Sequence, residues 1–308
     1  MNKNAQNKTV GIVGVPSDLG ANIRGANMGP AAIRIAGLKK NIEQIGYKCT
    51  DWGDLQIPVR DALPQEIIDQ QFLGPITDLC GELEQKTYDL MSKEQIPLTI
   101  GGDHSIAIGS VSGVSRFFKE QNQDMGLIWV DAHADINTPD SSESGNIHGM
   151  PLATLLNHGH SNLTSIGFPG LKVNPKKVAL IGIRTIDAIE KEILRTSGIS
   201  YYTMRDLDER GMSAVMNEAI EITGNGSAGI HLSFDIDGID PLYAPGVSTP
   251  VTGGLSFREA HLLLEILAES GKLCSMDFVE LNPFTDKGPK SAHLTVDLIL
   301  SALGKSIV

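Results

Sequence analysis

The chain has 308 residues, with 25 Lys and Arg against 37 Asp and Glu, a formal net charge of −12. That balance argues against nucleic-acid or other polyanion partners, whose binding draws on clustered basic side chains. No run reaches the roughly 18 apolar residues needed to cross a bilayer, and the opening MNKNAQNKTVGIVGV lacks the apolar core of a secretion signal, so a soluble, cytoplasmic protein is expected.

Hydrophobic residues at 41% and charged residues at 20%, with no Pro- or Ser-rich linker, predict a single globular domain over 1–308. In chain order the patterning predicts a strand at 10–15, a helix at 30–45, a strand at 46–52, a helix at 65–93, a strand at 96–101 and a helix at 105–121. Then come a strand at 126–131, a helix at 151–157, a strand at 177–182, a helix at 187–197, a strand at 199–203 and a helix at 205–223. A strand at 228–235, a helix at 256–270, a strand at 273–280 and a helix at 290–303 complete the series. Short β-branched runs alternating with longer helical patterns are the mark of βαβ units around a parallel sheet. Cys49, Cys80 and Cys274 are widely spaced with no CxxC pair, and read as buried, reduced thiols.

Ligands of parallel sheets bind beyond the carboxyl ends of the strands, so the polar residues there carry the chemistry. The run Gly126-Leu-Ile-Trp-Val is followed by Asp131-Ala-His133-Ala-Asp135, and period two aims all three polar groups to one side. His231-Leu-Ser-Phe-Asp235-Ile-Asp237 repeats the pattern, and the strand Ile96-Pro-Leu-Thr-Ile delivers Asp103-His104. A lone His or Asp at a strand end is ordinarily a satisfied loop residue. Four carboxylates converging on one site are different, because they repel one another unless cations neutralise them. Two divalent ions would balance the charge, and an oxygen and imidazole donor set without thiolate favours Mn, Co, Fe or Zn.

The motifs Gly101-Gly-Asp-His104-Ser, Asp131-Ala-His133-Ala-Asp135 and Ser233-Phe-Asp235-Ile-Asp237-Gly-Ile-Asp-Pro resemble those of the ureohydrolases, the superfamily of arginases, agmatinases and formimidoylglutamases. The likeness extends to Gly29-Pro-Ala-Ala-Ile-Arg34 and Met276-Asp-Phe-Val-Glu280-Leu-Asn-Pro, and so spans nearly the whole chain. It implies an α/β fold of three α/β/α layers with a mostly parallel eight-stranded sheet, and two Mn²⁺ ions per subunit bridged by hydroxide. One ion would be held by His104, Asp131, Asp135 and Asp235, the other by Asp131, His133, Asp235 and Asp237. Hydroxide would attack a guanidinium carbon, Asp135 would orient it and pass its proton to the leaving amine, and Glu280 would pair with the guanidinium. His148 would relay protons, as suits an imidazole, and Thr249 would line the same pocket.

Within the superfamily the loop Asn137-Thr-Pro-Asp-Ser-Ser142-Glu-Ser144-Gly-Asn146-Ile-His148 looks like the specificity loop of the arginases, a pattern that agmatinases lack. By that likeness Asn137, Ser142 and Ser144, with Asn146 beside them, would receive an α-carboxylate; Ser142 stands where arginases more often carry Thr. Asp187 would take the α-ammonium with Glu190 assisting, although the pair also reads as a helix capping box. The implied reaction is hydrolysis of L-arginine to L-ornithine and urea by a homotrimer or homohexamer. The rivals are an amidinohydrolase of agmatine or another guanidino acid, and a non-catalytic metal-stabilised scaffold, which would predict a damaged ligand set.

Overall fold

The computed structural model describes residues 8–305. The strands are β1 (Thr9–Gly14), β2 (Lys48–Asp54), β3 (Gln95–Ile100), β4 (Asp124–Val130), β5 (Val178–Ile183), β6 (Ser200–Thr203), β7 (Ser227–Asp235) and β8 (Leu273–Val279), each within a few residues of expectation. They form one sheet in the order β2-β1-β3-β8-β7-β4-β5-β6, and every pairing within it is parallel rather than mostly so.

Parallel neighbours need crossovers, and helices supply them. The helix expected over 30–45 is two, α1 (Gly29–Ile35) and α2 (Leu38–Gln44), parted where Gly37 turns to φ 90°. Periodicity missed this break because Ile33, Leu38 and Ile42 all enter the same core. The expected 65–93 helix likewise divides into α3 (Gln65–Asp69) and α4 (Leu73–Ser92) at Gln71 and Phe72. Next follow α5 (Ala107–Glu120), α6 (Pro151–Leu155), the unforeseen α7 (Ser161–Thr164) and α8 (Ala188–Ser197). Gly211 splits the 205–223 pattern into α9 (Met204–Arg210) and α10 (Met212–Gly224), and α11 (Phe257–Glu269) and α12 (Lys290–Ala302) complete the fold.

Helices α1, α2 and α9 to α12 share a core with one side of the sheet, including Ile128 and Val130, whereas α4, α5, α6 and α8 cover the side of Leu127 and Trp129. The result is three layers, α/β/α. Among the described residues no helix is long and apolar enough to cross a membrane. Cys80 is buried as expected, Cys49 and Cys274 are half-buried, and all three are free thiols.

The chain leaves β3, skips two positions to lay down β4, and returns later to insert β7 and β8 between them. The carboxyl ends of β3, β8, β7 and β4 therefore adjoin along one edge. Phe234 and Phe278, register partners on β7 and β8, stack at 5.2 Å, a contact worth about 0.5–1.5 kcal/mol beyond their burial. Holding that register matters, since a one-residue slip would turn Asp235 to the opposite face.

Candidate metal centre and substrate cleft

After β3 the chain passes through Gly101 and Gly102, both at positive φ, and a Cβ at Gly101 would stand 2.2 Å from Pro30 Cδ. This tight turn delivers Asp103, whose carboxylate accepts from the backbone N–H of Gly20 and Ser105 at 3.0 Å each, and then His104. Strand β4 is followed by Asp131, His133 and Asp135, and β7 ends in Asp235 with Asp237 just beyond. All four of these carboxylates are buried. Asp135 sits at φ 50°, an uncommon backbone conformation for a non-glycine residue, and such conformations cluster at functional sites.

The imidazole Nδ1 of His104 faces three carboxylate oxygens at once: Asp131 Oδ2 at 3.2 Å, Asp135 Oδ2 at 3.0 Å and Asp235 Oδ2 at 3.1 Å. It has no well-aimed hydrogen-bond partner among them. One N–H cannot satisfy three acceptors, whereas a cation seated between them would be ligated by all. His133 Nδ1 faces Asp131 Oδ1 at 3.3 Å and Asp237 Oδ2 at 3.2 Å. Metal-ligand spacing thus groups His104, Asp131 and Asp135, and separately Asp131, His133 and Asp237, with donor atoms of each group within 4.8 Å of one another. Asp131 belongs to both groups and turns one oxygen to each. Asp235 turns Oδ2 to the His104 group, while its Oδ1 accepts from the Asp237 N–H at 2.7 Å. The donor set and the unmatched Nδ1 fit divalent cations.

The electrostatics agree. Burial and the neighbouring Asp237 and Asp131 carboxylates drive Asp235 well above the ordinary carboxylate range, and burial with Asp131 raises Asp135 to about 6. Burial opposes charge on His133, but Asp131 and Asp237 outweigh it and push the imidazole up to about 12. These are the shifts of a site built around positive charge.

Strand β8 is followed at once by Glu280, also at positive φ (64°) and buried. Its Oε1 accepts from the His104 backbone N–H and meets His148 Nδ1, both at 2.9 Å. Its buried Oε2 has no partner. Burial opposes charge on His148, yet Glu280 holds it up at about 9.

A cavity of about 160 Å³ is lined by His133, Asp135, Asn137, His148, Gly149, Glu190, Asp235, Asp237, Thr249 and Glu280. It gathers the residues expected for catalysis, Asn137 and Glu190 from the expected recognition set, and Thr249, whose hydroxyl donates to Asp237 Oδ2 at 2.8 Å. Ser142, Ser144, Asn146 and Asp187 are not among its walls. Asp187 is nevertheless tied to it, accepting from Asn137 Nδ2 at 2.8 Å. It also caps α8 in the expected capping box, with Glu190 accepting the Asp187 N–H at 3.1 Å. Ser142 Oγ accepts from Gly145 N–H and Ser144 Oγ from Asn146 N–H, which leaves both hydroxyl protons free to donate.

A family profile described as the Arginase family matches residues 8–304. The chain is also 43% identical over 302 residues to a Brevibacillus brevis protein named arginase, covering 98% of this chain and all of that one. The chain belongs to the arginase family. The solved structure of the Bacillus caldovelox arginase superposes with a TM-score of 0.93 at 43% identity, covering 98% of this chain and all of that one. Formimidoylglutamase from Bacillus subtilis, at 21% identity, TM-score 0.77 and coverage of 96% and 86%, shares the fold.

Several supports of this arginase-family site escape a motif reading. Trp129 stacks on His104 with ring centroids 4.0 Å apart and donates its indole N–H to Asp131 Oδ2 at 3.0 Å. The Arg184 guanidinium donates to the carbonyls of Asp237 (2.7 Å), Val251 (2.7 Å), Gly238 (3.0 Å) and Gly182 (3.2 Å), pinning the 236–254 loop to β5. Their available signals were a Trp two residues before a ligand and an Arg just after a buried strand.

Proposed function

We propose that this arginase-family hydrolase converts L-arginine and water to L-ornithine and urea with two Mn²⁺ ions per subunit. His104, Asp131, Asp135 and Asp235 would hold one ion, and Asp131, His133, Asp235 and Asp237 the other. When bound, the ions supply the Lewis acidity that makes water nucleophilic near neutral pH.

The observation that carries the substrate reading is the unpartnered, buried Oε2 of Glu280 in the wall of a cavity otherwise lined by metal-facing carboxylates. A buried acceptor without a donor is costly, and a guanidinium N–H is the donor that suits it. With Oε1 held by His104 N–H and His148, the carboxylate is oriented before substrate arrives. Asp135 accepts a hydrogen bond from the attacking water and later delivers the proton to the leaving nitrogen. His148, 18% exposed at its side chain, exchanges with solvent the other proton, the one that water loses on becoming the nucleophile.

At the other end of the substrate, Asn137, Ser142 and Ser144 donate to the α-carboxylate, with Asn146 shaping their loop. Asp187 accepts from the α-ammonium, assisted by Glu190, and Thr249 steadies Asp237. We further propose one domain for the whole chain, a cytoplasmic location, and assembly as a homotrimer or homohexamer.

Urea release from arginine and from agmatine, after incubation with Mn²⁺, tests this reading. Agmatine lacks the α-carboxylate, and forfeiting two hydrogen bonds to a charged group at about 1.5 kcal/mol each predicts roughly a hundredfold preference for arginine. Equal kcat/KM on the two would contradict it.

A further inference from the structure

Strands β7 and β8 lie in the middle of the sheet, covered on both faces, where parallel strands run almost continuously apolar. They instead carry His231, Ser233, Ser275 and Asp277 at alternate positions, all at most 1% exposed. Ser233 is the register partner of Asp277, and His231 of Ser275. The four form one hydrogen-bonded unit. Asp277 Oδ1 accepts from the Ser233 hydroxyl at 2.6 Å, while its Oδ2 accepts from Ser110 Oγ of α5 at 2.5 Å and meets His231 Nε2 at 2.9 Å. His231 Nδ1 meets Ser275 Oγ at 2.8 Å. Burial disfavours the Asp277 carboxylate, and its bond to His231 outweighs that, holding it below the usual carboxylate range.

This unit reaches the metal centre through one atom, since Ser233 Oγ lies 2.9 Å from His104 Nε2. A serine hydroxyl has a single proton, and here it is committed to a carboxylate that can only accept. Towards His104 Ser233 therefore offers a lone pair, so Nε2 must bear the hydrogen. In a neutral imidazole that leaves the lone pair on Nδ1, the atom facing Asp131, Asp135 and Asp235.

We propose that Asp277 is a positioning residue for the metal centre, acting through Ser233 to hold His104 in the one tautomer that can ligate a metal at Nδ1. His231 and Ser110 keep Asp277 available as the acceptor that sets the direction of this chain. The inference rests on His104 being a metal ligand. An amide at position 277 would undo the arrangement, because its NH₂ can face Ser233, reverse the hydroxyl, and put the imidazole proton on Nδ1.

The test is Mn²⁺ titration of metal-stripped protein, followed by calorimetry and by the spin-resonance signal of free Mn²⁺, below the unfolding temperature of each variant. Outer partners of metal ligands typically control 10- to 100-fold in affinity, so Asp277→Asn is expected to weaken one of the two ions by about that factor while KM for arginine at saturating metal stays unchanged. In a Ser233→Ala background, Asp277→Asn should add nothing further, because the route to His104 is already cut. A purely structural Asp277 would not give that non-additivity. Wild-type affinity in Asp277→Asn, or losses that multiply in the double variant, would overturn the proposal. Should Asp277→Asn fail to fold, His231→Gln takes its place, with weakened metal binding expected only while Ser233 is present, and a loss independent of Ser233 overturning the proposal. His104→Asn separates the two claims: if it binds both ions normally, the ligand assignment falls and this inference with it. If it loses an ion while Asp277→Asn does not, this inference alone falls.

Discussion

The floor of the cleft and its rim are built by different means. On the floor, Asp131 and Asp235 stand at the ends of β4 and β7, Asp135 and Asp237 lie in the segments that follow, and all four are no more than 7% exposed. On the rim, Asn137, Ser142, Ser144 and Asp187 sit on loops or at a helix start, half-buried or exposed; Asn137 donates to Asp187, and Ser142 and Ser144 accept from backbone N–H groups of their own loop. A floor residue has no substitute when lost, since its neighbours are charged and sealed from water. A rim residue that is lost leaves partners that water can serve.

That contrast predicts a ladder of effects. Asp235→Asn removes a carboxylate from the most crowded part of the floor, and losing several kcal/mol of transition-state charge stabilisation should cut kcat by about a thousandfold or more, with metal content falling alongside. Retention of half the activity with full metal content would contradict the site as described. Glu280→Gln keeps the shape but removes the charge opposite the guanidinium, and kcat/KM for arginine should fall by about 10- to 150-fold while metal content is retained. Loss of metal in this variant would move Glu280 from substrate binding to metal support.

On the rim the expected effects are smaller and selective. Asp187→Asn can still cap α8, so thermal stability should hold, while KM for arginine rises by about tenfold and residual agmatine hydrolysis barely changes. Parallel losses on both substrates would show that Asp187 serves the fold rather than the α-ammonium. Ser144→Ala, at an exposed hydroxyl, should raise KM for arginine by about threefold. A larger loss there than at Asp187 would invert the order proposed for the rim.

The same division separates what the sequence made legible from what it did not. The eight strands, the i, i+2, i+4 series Asp131, His133 and Asp135, the i, i+2 pair Asp235 and Asp237, and His104 after the Gly-Gly turn were readable because strand patterning and burial are local properties. Helix breaks at Gly37 and Gly211 were not, because both halves bury apolar residues in one core, nor was the break at Phe72, because the half-buried Ile67 and Ile68 before it pack on the same cluster as Phe72 and Ile76. The recognition role proposed for Asp187 could not be told apart from capping in the sequence, since one short motif suits either, and the structure shows the cap. The linkage of Asp277 and His231 went unnoticed because their partners come from other elements, two strands and helix α5, 44 to 167 residues away in the chain. Their only local signal was polarity inside runs that should be apolar.

The most direct test of the account is the anomalous scattering of Mn²⁺ in crystals of the metal-loaded enzyme, with metal per chain measured on the same preparation. The account predicts two peaks in each subunit, one ligated by His104 Nδ1 with Asp131, Asp135 and Asp235, the other by His133 Nδ1 with Asp131, Asp235 and Asp237. A single peak, or ions bound away from these side chains, would contradict it.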